Sequence, residues 1–414
     1  MPQPDPIPEP TVSVVMPAYQ SERFVRAAIE SVRSQSLEDW ELIVVDDGST
    51  DGTLPIARSG PDDPRVRVLQ QAHGGASSAR NHAISIARAR LVAFLDADDL
   101  WPEHYLALMT SALRAAPEAV LAFGSWQYVD ERATLLPQSV VPFGADARRA
   151  REELPRRNAL VPSAVVVRTA ALRRVGGFDA TFEACGDWDL WLRLLPEGPF
   201  APQPGATTLY RTHPGSITED VDGVERGRLR LIEKHHGPAS GPPATWPLPR
   251  RQAVGQALFA VALARLRQGD PATGKSELAE AITVWPEIVE EDEFFFELAC
   301  ANQPRGLRGS AYGLDLDEAA QLVRSLEPLP GGAATRARAA FAFAWVALSA
   351  GDRETARRFA LEARGLPGLR GKSSALALAA RATMPTRLAR RIEGRRHGRP
   401  AGLKEDGCGS PSSS

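Results

Sequence analysis

The sequence predicts an α/β fold: a Rossmann-like, mainly parallel sheet in the first half, followed by an all-α helical domain. Three observations predict it. Short apolar runs alternate with helical stretches over the early part of the chain. Those runs end in polar residues, several of them acidic. From residue 251 onward the chain is rich in Ala, Leu and Arg and shows no strand pattern.

Each element follows from its residues. Val12-Ser13-Val14-Val15-Met16 reads as a first strand, stopped by Pro17, with Ala18-Tyr19-Gln20 as the turn. Ser21 is a candidate N-cap. Val25, Ala28, Ile29 and Val32 then share one helix face. Leu42-Ile43-Val44-Val45 is a second strand ending in Asp46-Asp47-Gly48-Ser49, and Arg65-Val66-Arg67-Val68-Leu69 a third. A helix spans 76–88 and a fourth strand 91–95. Further on, the pattern predicts a helix to about 115, strands at 120–128 and 165–167, and a last short strand at 207–210. Leu190, Trp191, Leu194 and Leu195 mark the buried face of another helix. The stretch 135–157 carries no readable pattern.

The fourth strand runs into Asp96-Ala97-Asp98-Asp99. Three acids in four positions repel unless a cation or a donor-rich ligand sits among them. Magnesium and manganese take oxygen ligands and are commonly held by one or two carboxylates plus substrate phosphates. A solvated Asp-rich turn is the other reading. In open α/β sheets ligands bind outside the carboxyl ends of the strands. Tyr19, Asp46, Asp47, Asp96 and Asp98 all lie just past strand ends, so one crevice can collect them. That favours a metal-nucleotide site.

Composition excludes other classes. The 414 residues suffice for two or three domains, and the formal net charge of −2 favours neither nucleic acid nor an anionic membrane. The three cysteines are scattered and lack ligand spacing, which predicts a reducing compartment and no structural zinc. The Pro-rich start has no basic or apolar region of a signal peptide, and no apolar run is long enough to span a membrane. A cytoplasmic location is expected, with peripheral contact at the inner face of the membrane as its variant. Gly269-Asp270-Pro271-Ala272-Thr273-Gly274-Lys275-Ser276 matches the phosphate-loop pattern. That loop needs a preceding strand, and a helical stretch precedes it here, so the segment reads as a helix-to-helix turn.

Asp46-Asp47-Gly48-Ser49, Gly75-Ala76-Ser77-Ser78-Ala79-Arg80-Asn81, Asp96-Ala97-Asp98-Asp99, Gly176-Gly177-Phe178-Asp179 and Asp187-Trp188-Asp189-Leu190-Trp191 follow the first strand in a telling order. Together they resemble the successive motifs of family 2 glycosyltransferases with the GT-A fold, over roughly residues 12–215. The resemblance implies inverting transfer of a sugar from a nucleoside-diphosphate sugar, by family habit a UDP-sugar, to an acceptor hydroxyl, with a divalent metal (Mn2+ or Mg2+). It places Pro17, Ala18 and Tyr19 along the nucleoside, Asp47 on the base ring and Arg80 in the nucleotide pocket. Asp98 becomes a metal ligand and Asp96 a partner of the ribose or of the metal's water. His213 would contact metal or diphosphate, and Asp187 would be the general base. Ordinary readings stand beside these: a turn-forming Asp47, a surface Arg80, a loop His213, a helix-capping Asp187, and Asp99 as the cap of the next helix.

Two departures matter. The family often has Glu where Gly186 stands, which motivates the alternative of a nucleotide-sugar-binding adaptor without turnover. The Gln-x-x-Arg-Trp motif and membrane helices of processive synthases are missing, which predicts single additions to a carbohydrate, lipid-linked or protein acceptor. The expected organisation is a tail at 1–11, a catalytic domain at 12–220, a connecting helix and Pro/Gly-rich linker at 221–250, a helical domain at 251–385 and a basic, then Gly/Ser-rich tail at 386–414. Ala260-Val261-Ala262-Leu263-Ala264 with Gly269-Asp270 resembles Ala344-Trp345-Val346-Ala347-Leu348 with Gly351-Asp352. Each reads as helix, turn, helix, like a degenerate tetratricopeptide unit. Such a domain either docks a protein partner or props the catalytic domain. The arginines from Arg387 to Arg399 read as a solvated end, or as a weak contact to anionic lipid.

Overall fold

The computed structural model describes residues 9–365, apart from 292 and 327. Residues 1–8 of the predicted tail, the end of the helical region at 366–385 and the basic tail from 386 lie outside the described residues. The described chain forms strands β1 (Val12–Ala18), β2 (Trp40–Asp46), β3 (Val66–Gln70), β4 (Leu91–Phe94), β5 (Leu121–Val129), β6 (Leu135–Val140), β7 (Val165–Arg168) and β8 (Phe200–Arg211). Between and after them run helices α1 (Val25–Arg33), α2 (Thr53–Arg58), α3 (Ala76–Ile86), α4 (Tyr105–Ala115), α5 (Ala147–Glu153), α6 (Thr169–Arg174), α7 (Gly186–Leu194), α8 (Val221–His236), α9 (Leu248–Arg267), α10 (Pro271–Val284), α11 (Phe294–Ala299), α12 (Leu316–Ser325), α13 (Ala333–Ser349) and α14 (Arg353–Gly365).

The eight strands make one sheet in the order β3-β2-β1-β4-β7-β5-β6, with β8 also paired to β5. β1 to β4 are mutually parallel where they pair. The sheet is mixed, because β7 lies antiparallel between β4 and β5. The first three residues of β5 pair with β7 and its last part with β6, while β8 runs parallel along its whole length. β1 and β2 are buried at every position, as strands covered on both faces should be. The α1 face is the predicted one: Val25, Ala28, Ile29 and Val32 are its buried residues.

Several boundaries move for physical reasons. β1 continues through Pro17 to Ala18, with Pro17 opposite Val45. A proline is tolerated there because the β1–β4 ladder ends at Val15, so its missing N–H falls where no partner strand remains. Ser21 does not cap α1 with its side chain; its carbonyl accepts from Phe24 and Val25 and its hydroxyl donates to Tyr19 O. Asp99 does not cap α4 either, since that cap is His104. β8 is far longer than the predicted 207–210, because its irregular first half is held by pairing to β5 rather than by its own Pro- and Gly-containing sequence. The unpatterned stretch holds β6 and α5.

By compactness the chain divides after Pro330. The first unit contains the sheet and α1 to α12. The Pro/Gly-rich segment 237–249 links α8 to α9 within it. The phosphate-loop match is the turn between α9 and α10: Gly269 has φ +79°, and Asp270 caps α10 by accepting from Thr273 N. A strand does not precede it, so the cradle of a phosphate loop does not form. The second unit, by itself, shows α13 and α14 as a helical hairpin built on the same device. Gly351 has φ +87°, and Asp352 accepts from Thr355 N at 3.0 Å.

Candidate active site

Parallel β1, β2 and β4 deliver their carboxyl ends to one rim, and a cleft of about 1680 Å3 opens there. Pro17, Ala18, Tyr19, Asp47, Arg80, Asp96, Asp98, Asp187 and His213 all line it. Nine residues spread over some two hundred positions are thus brought together by strand direction and crossover connections, neither of which is a local property.

On the β4 side, Asp98 Oδ2 lies 3.0 Å from His213 Nε2. Asp96 turns the other way: its Oδ1 accepts from Arg80 Nη2 at 2.5 Å. Burial pushes the Asp96 carboxyl above its ordinary range, against the opposing pull of Arg80 and with help from Asp98. Arg80 is itself buried, its guanidinium 5.2 Å above the Phe178 ring. Asp99 is buried and its Oδ1 accepts from Arg211 N at 2.9 Å, so it ties the turn after β4 to the end of β8. Arg211 strengthens that tie by donating from Nε to Asp98 O at 2.6 Å. Ser163 Oγ receives Asp96 N at 3.0 Å. Sequence reasoning missed Arg211 and Ser163; both are ordinary residue types whose role comes only from their distant partners. Replacing Arg80 with Gln should leave the partly buried Asp96 carboxylate without its cation. The expected loss is about 1–3 kcal/mol of unfolding free energy in urea titrations, partly restored by Arg80→Lys.

At the ends of β1 and β3, Tyr19 stacks on His73, ring centroids 4.3 Å apart. His73 was not singled out from the sequence. Asp47 is buried and its carboxylate is fully engaged by the loop after β3. It accepts from Gln71 Nε2 at 2.7 Å, Gly74 N at 3.0 Å and Gly75 N at 2.8 Å, while His73 Nδ1 bonds the Asp47 backbone carbonyl at 3.1 Å and lies 2.9 Å from the carboxylate. Three donors hold the carboxylate, and the acid in turn holds this loop beside the Tyr19 ring.

Asp187 is the second residue of α7, whose cap position is Cys185 in left-handed conformation at φ 64°. The Asp187 carboxylate is partly exposed to the cleft, and its Oδ2 accepts from Asn158 Nδ2 at 2.8 Å. Burial raises its pKa, opposed by Asn158, the Trp188 N–H and Arg80 and aided by Asp96. Gly186 is buried against α3: an added Cβ would stand 2.6 Å from Ser77 Oγ. A larger residue at this position would therefore require the Ser77 hydroxyl to turn away. Two residues further on, Asp189 is fully buried and ion-paired to Arg193, Lys234 and His235. It anchors α7 to α8.

Among the described residues no group of three or more His, Cys, Asp or Glu side chains is disposed to hold a metal ion. Asp98 and His213 nevertheless present two donors to one point. A carboxylate, an imidazole and phosphate oxygens form a chemically suitable set for Mn2+ or Mg2+. Asp96 is committed to Arg80 instead.

A mixed sheet with its glycine-containing loops and acidic turn gathered on one carboxyl rim is a GT-A type of architecture. Residues 13–178 match Glycosyl transferase family 2. Putative teichuronic acid biosynthesis glycosyltransferase TuaG of Bacillus subtilis is 42% identical over 100 residues, 24% of this chain and 40% of TuaG. UDP-Glc:alpha-D-GlcNAc-diphosphoundecaprenol beta-1,3-glucosyltransferase WfgD of Escherichia coli is 38% identical over 104 residues, 25% of this chain and 40% of WfgD. The matched part thus spans well under two thirds of either relative. S. aureus TarS 1–349 in complex with UDP is a similar solved structure, at 16% identity and a TM-score of 0.43, over 95% of this chain and 94% of that one.

Proposed function

We propose that the chain is a metal-assisted, inverting glycosyltransferase. It moves a sugar from a nucleoside-diphosphate sugar, a UDP-sugar first, to an acceptor hydroxyl. The observation that carries this reading is that Asp187 opens into the same cleft as the paired Asp98 and His213. Asp187 takes the acceptor proton as the hydroxyl attacks, and Asn158 holds its carboxylate in place. A carboxylate whose pKa is raised by burial is a stronger base than a solvated one, provided it is ionised. Asp98 and His213 would hold the divalent ion, which when bound neutralises charge on the leaving diphosphate. The Tyr19–His73 pair offers a flat surface to the nucleobase. Asp47 would meet a base N–H by exchanging one of its bonds to the loop at 71–75. Arg80 keeps Asp96 in place beside the ribose. Inversion follows if base and leaving group flank opposite faces of the sugar.

The names of the two relatives support bacterial cell-surface polysaccharide or glycoconjugate synthesis, with a carbohydrate, lipid-linked or protein acceptor. No helix among the described residues is long and apolar enough to cross a membrane. The cytoplasm, including the inner face of the membrane, is proposed because Cys185 and Cys300 are free, as suits a reducing compartment. The hairpins that turn at Gly269-Asp270 and at Gly351-Asp352 are each proposed to offer a face to a protein partner.

A thermal-shift screen of nucleoside diphosphates and their sugars, with and without Mn2+, tests the reading. A donor at a hundredfold its Kd should stabilise the protein by about 2.7 kcal/mol. The Mn2+-dependent part should vanish in Asp98→Asn. Absence of any metal-dependent stabilisation across the screen would overturn the proposal.

A further inference from the structure

Four arginines line the cleft from elements outside the family-matched residues 13–178: Arg228 of α8, Arg267 at the end of α9, and Arg305 and Arg308 in the loop after α11. That loop is built rather than loose. Gln303 is fully buried, and its Nε2 donates to Ser310 O at 2.9 Å and Tyr312 O at 2.6 Å. Its Oε1 accepts from Gly309 N at 2.7 Å. Gly306 docks the loop on β6: Gln138 N donates to Gly306 O at 2.9 Å, and Gly306 N donates to Gln138 Oε1 at 3.1 Å. Only glycine fits there, with φ +84° and an added Cβ 2.5 Å from Leu136 Cδ1. Arg305 and Arg308 are thereby held on either side of a pinned glycine.

The charges do not balance. Arg308 pairs with Glu297, and Arg305 reaches Glu219 at 3.5 Å and Thr218 O at 3.1 Å. Arg228 finds a carbonyl, Ala257 O, at 3.5 Å. Arg267 Nη1 is buried without a hydrogen-bond partner among the described residues. Burial, with Arg308 and Arg305 nearby, lowers the Arg267 pKa to about 9. Other arginines of this cleft, Arg156 and Arg157, are neutralised by Glu291 and by Glu153 with Glu293.

We propose that Arg228, Arg267, Arg305 and Arg308 form an anion subsite on the acceptor side of the cleft, which receives a phosphate or diphosphate carried by the acceptor. Four guanidiniums face two carboxylates. The excess matches a phosphoryl group's charge of about −2, whereas a single carboxylate would leave the wall under-neutralised. Guanidinium forks are suited to bidentate phosphate contacts. The acceptor side is assigned because the nucleotide-side residues come from the ends of β1, β2 and β4, whereas these arginines come from later elements. Arg228 lies in electrostatic reach of Cys185, next to the helix that carries Asp187. The assignment of sides rests on the glycosyltransferase reading above; the anion site itself does not.

The test is calorimetric titration of the full chain with inorganic pyrophosphate and with farnesyl diphosphate, in chelator and with UDP saturating the nucleotide site. Arg267→Gln and Arg308→Gln should each weaken pyrophosphate binding about tenfold to a hundredfold. Asp98→Asn should leave it within twofold. Farnesyl diphosphate binding more tightly than pyrophosphate identifies a lipid-linked source, and equal affinities identify the phosphate alone; both support the site. Arg267→Lys, which keeps the charge and loses the fork, should show an intermediate loss and guards against misfolding of the Gln variants. Pyrophosphate binding that is unchanged in all the arginine variants would overturn the proposal. So would an equal weakening of UDP itself, which would assign the arginines to the donor diphosphate. Loss of turnover dependence on Asp187, with arginine-dependent pyrophosphate binding intact, would sink the glycosyltransferase reading and leave the anion site standing.

Discussion

Asp187→Asn is expected to cut sugar transfer by about three orders of magnitude, within the range for loss of a general base, and at the same time to stabilise the fold at neutral pH. Burial raises the folded-state pKa of Asp187 above its unfolded value. The folded protein therefore holds the Asp187 proton more tightly than the unfolded chain. Stability falls as pH rises through the window between the two pKa values, and the full penalty remains above it. Asn removes the ionisation and keeps a carbonyl acceptor for Asn158. Melting curves of the two proteins should converge below about pH 4, near the unfolded carboxylate value, and separate at neutral pH with the variant higher. The wild-type rate should show an acid limb above the ordinary carboxylate range. Equal turnover in both proteins, with donor still bound, would favour a binding protein without catalysis.

Asp189→Asn, two residues away, is expected to do the opposite to stability. Its carboxylate accepts from Arg193 Nε at 2.8 Å on one oxygen, and has Lys234 Nζ at 2.7 Å and His235 Nε2 at 2.9 Å on the other. Burial alone would raise its pKa, but these partners outweigh it and hold the carboxyl down to about 2. This contribution is present above the unfolded carboxylate pKa and is lost as pH falls from about 4 toward the folded value. Removing the buried partner leaves Arg193 without its carboxylate, deprives Lys234 of one of its two and leaves the His235 imidazole without its acceptor, at a cost of about 3 kcal/mol; the Lys234–Asp179 pair and the partial exposure of Lys234 and His235 keep the figure at the low end of the usual range. Urea denaturation at neutral pH measures it. A loss below about 0.5 kcal/mol, the size of a surface substitution, would show that α7 is held to α8 by packing instead. The two aspartates thus share a helix turn and differ in sign: one faces the cleft with a single amide, the other is enclosed by Arg193, Lys234 and His235.

The rim was legible because strand direction is regular. Apolar runs separated by helices imply parallel strands, and parallel strands put Tyr19, Asp47 and Asp98 at one edge whatever the loops do. β1 and α1 were read nearly to the residue because β1 is a short, nearly unbroken apolar run and α1 repeats every 3.6 positions. β6 and α5 escaped because β6 is half exposed at the sheet margin and α5 is short, so neither carries a strong period. β8 was read too short because proline and glycine interrupt its pattern, and only β5 holds it extended.

Alone, the amino-acid sequence determined the α/β class, the order of the acidic strand ends and the family motifs, since each depends on local spacing. The tertiary structure alone decided how those residues are used. It turned Asp96 to Arg80 and Asp98 to His213, engaged Asp47 with the loop after β3, and set Asn158 on Asp187. It also gathered four arginines from three distant elements into the same cleft. Pairings of this kind depend on side-chain direction and on contacts between distant segments, which leave no periodicity in the chain from which they could be read.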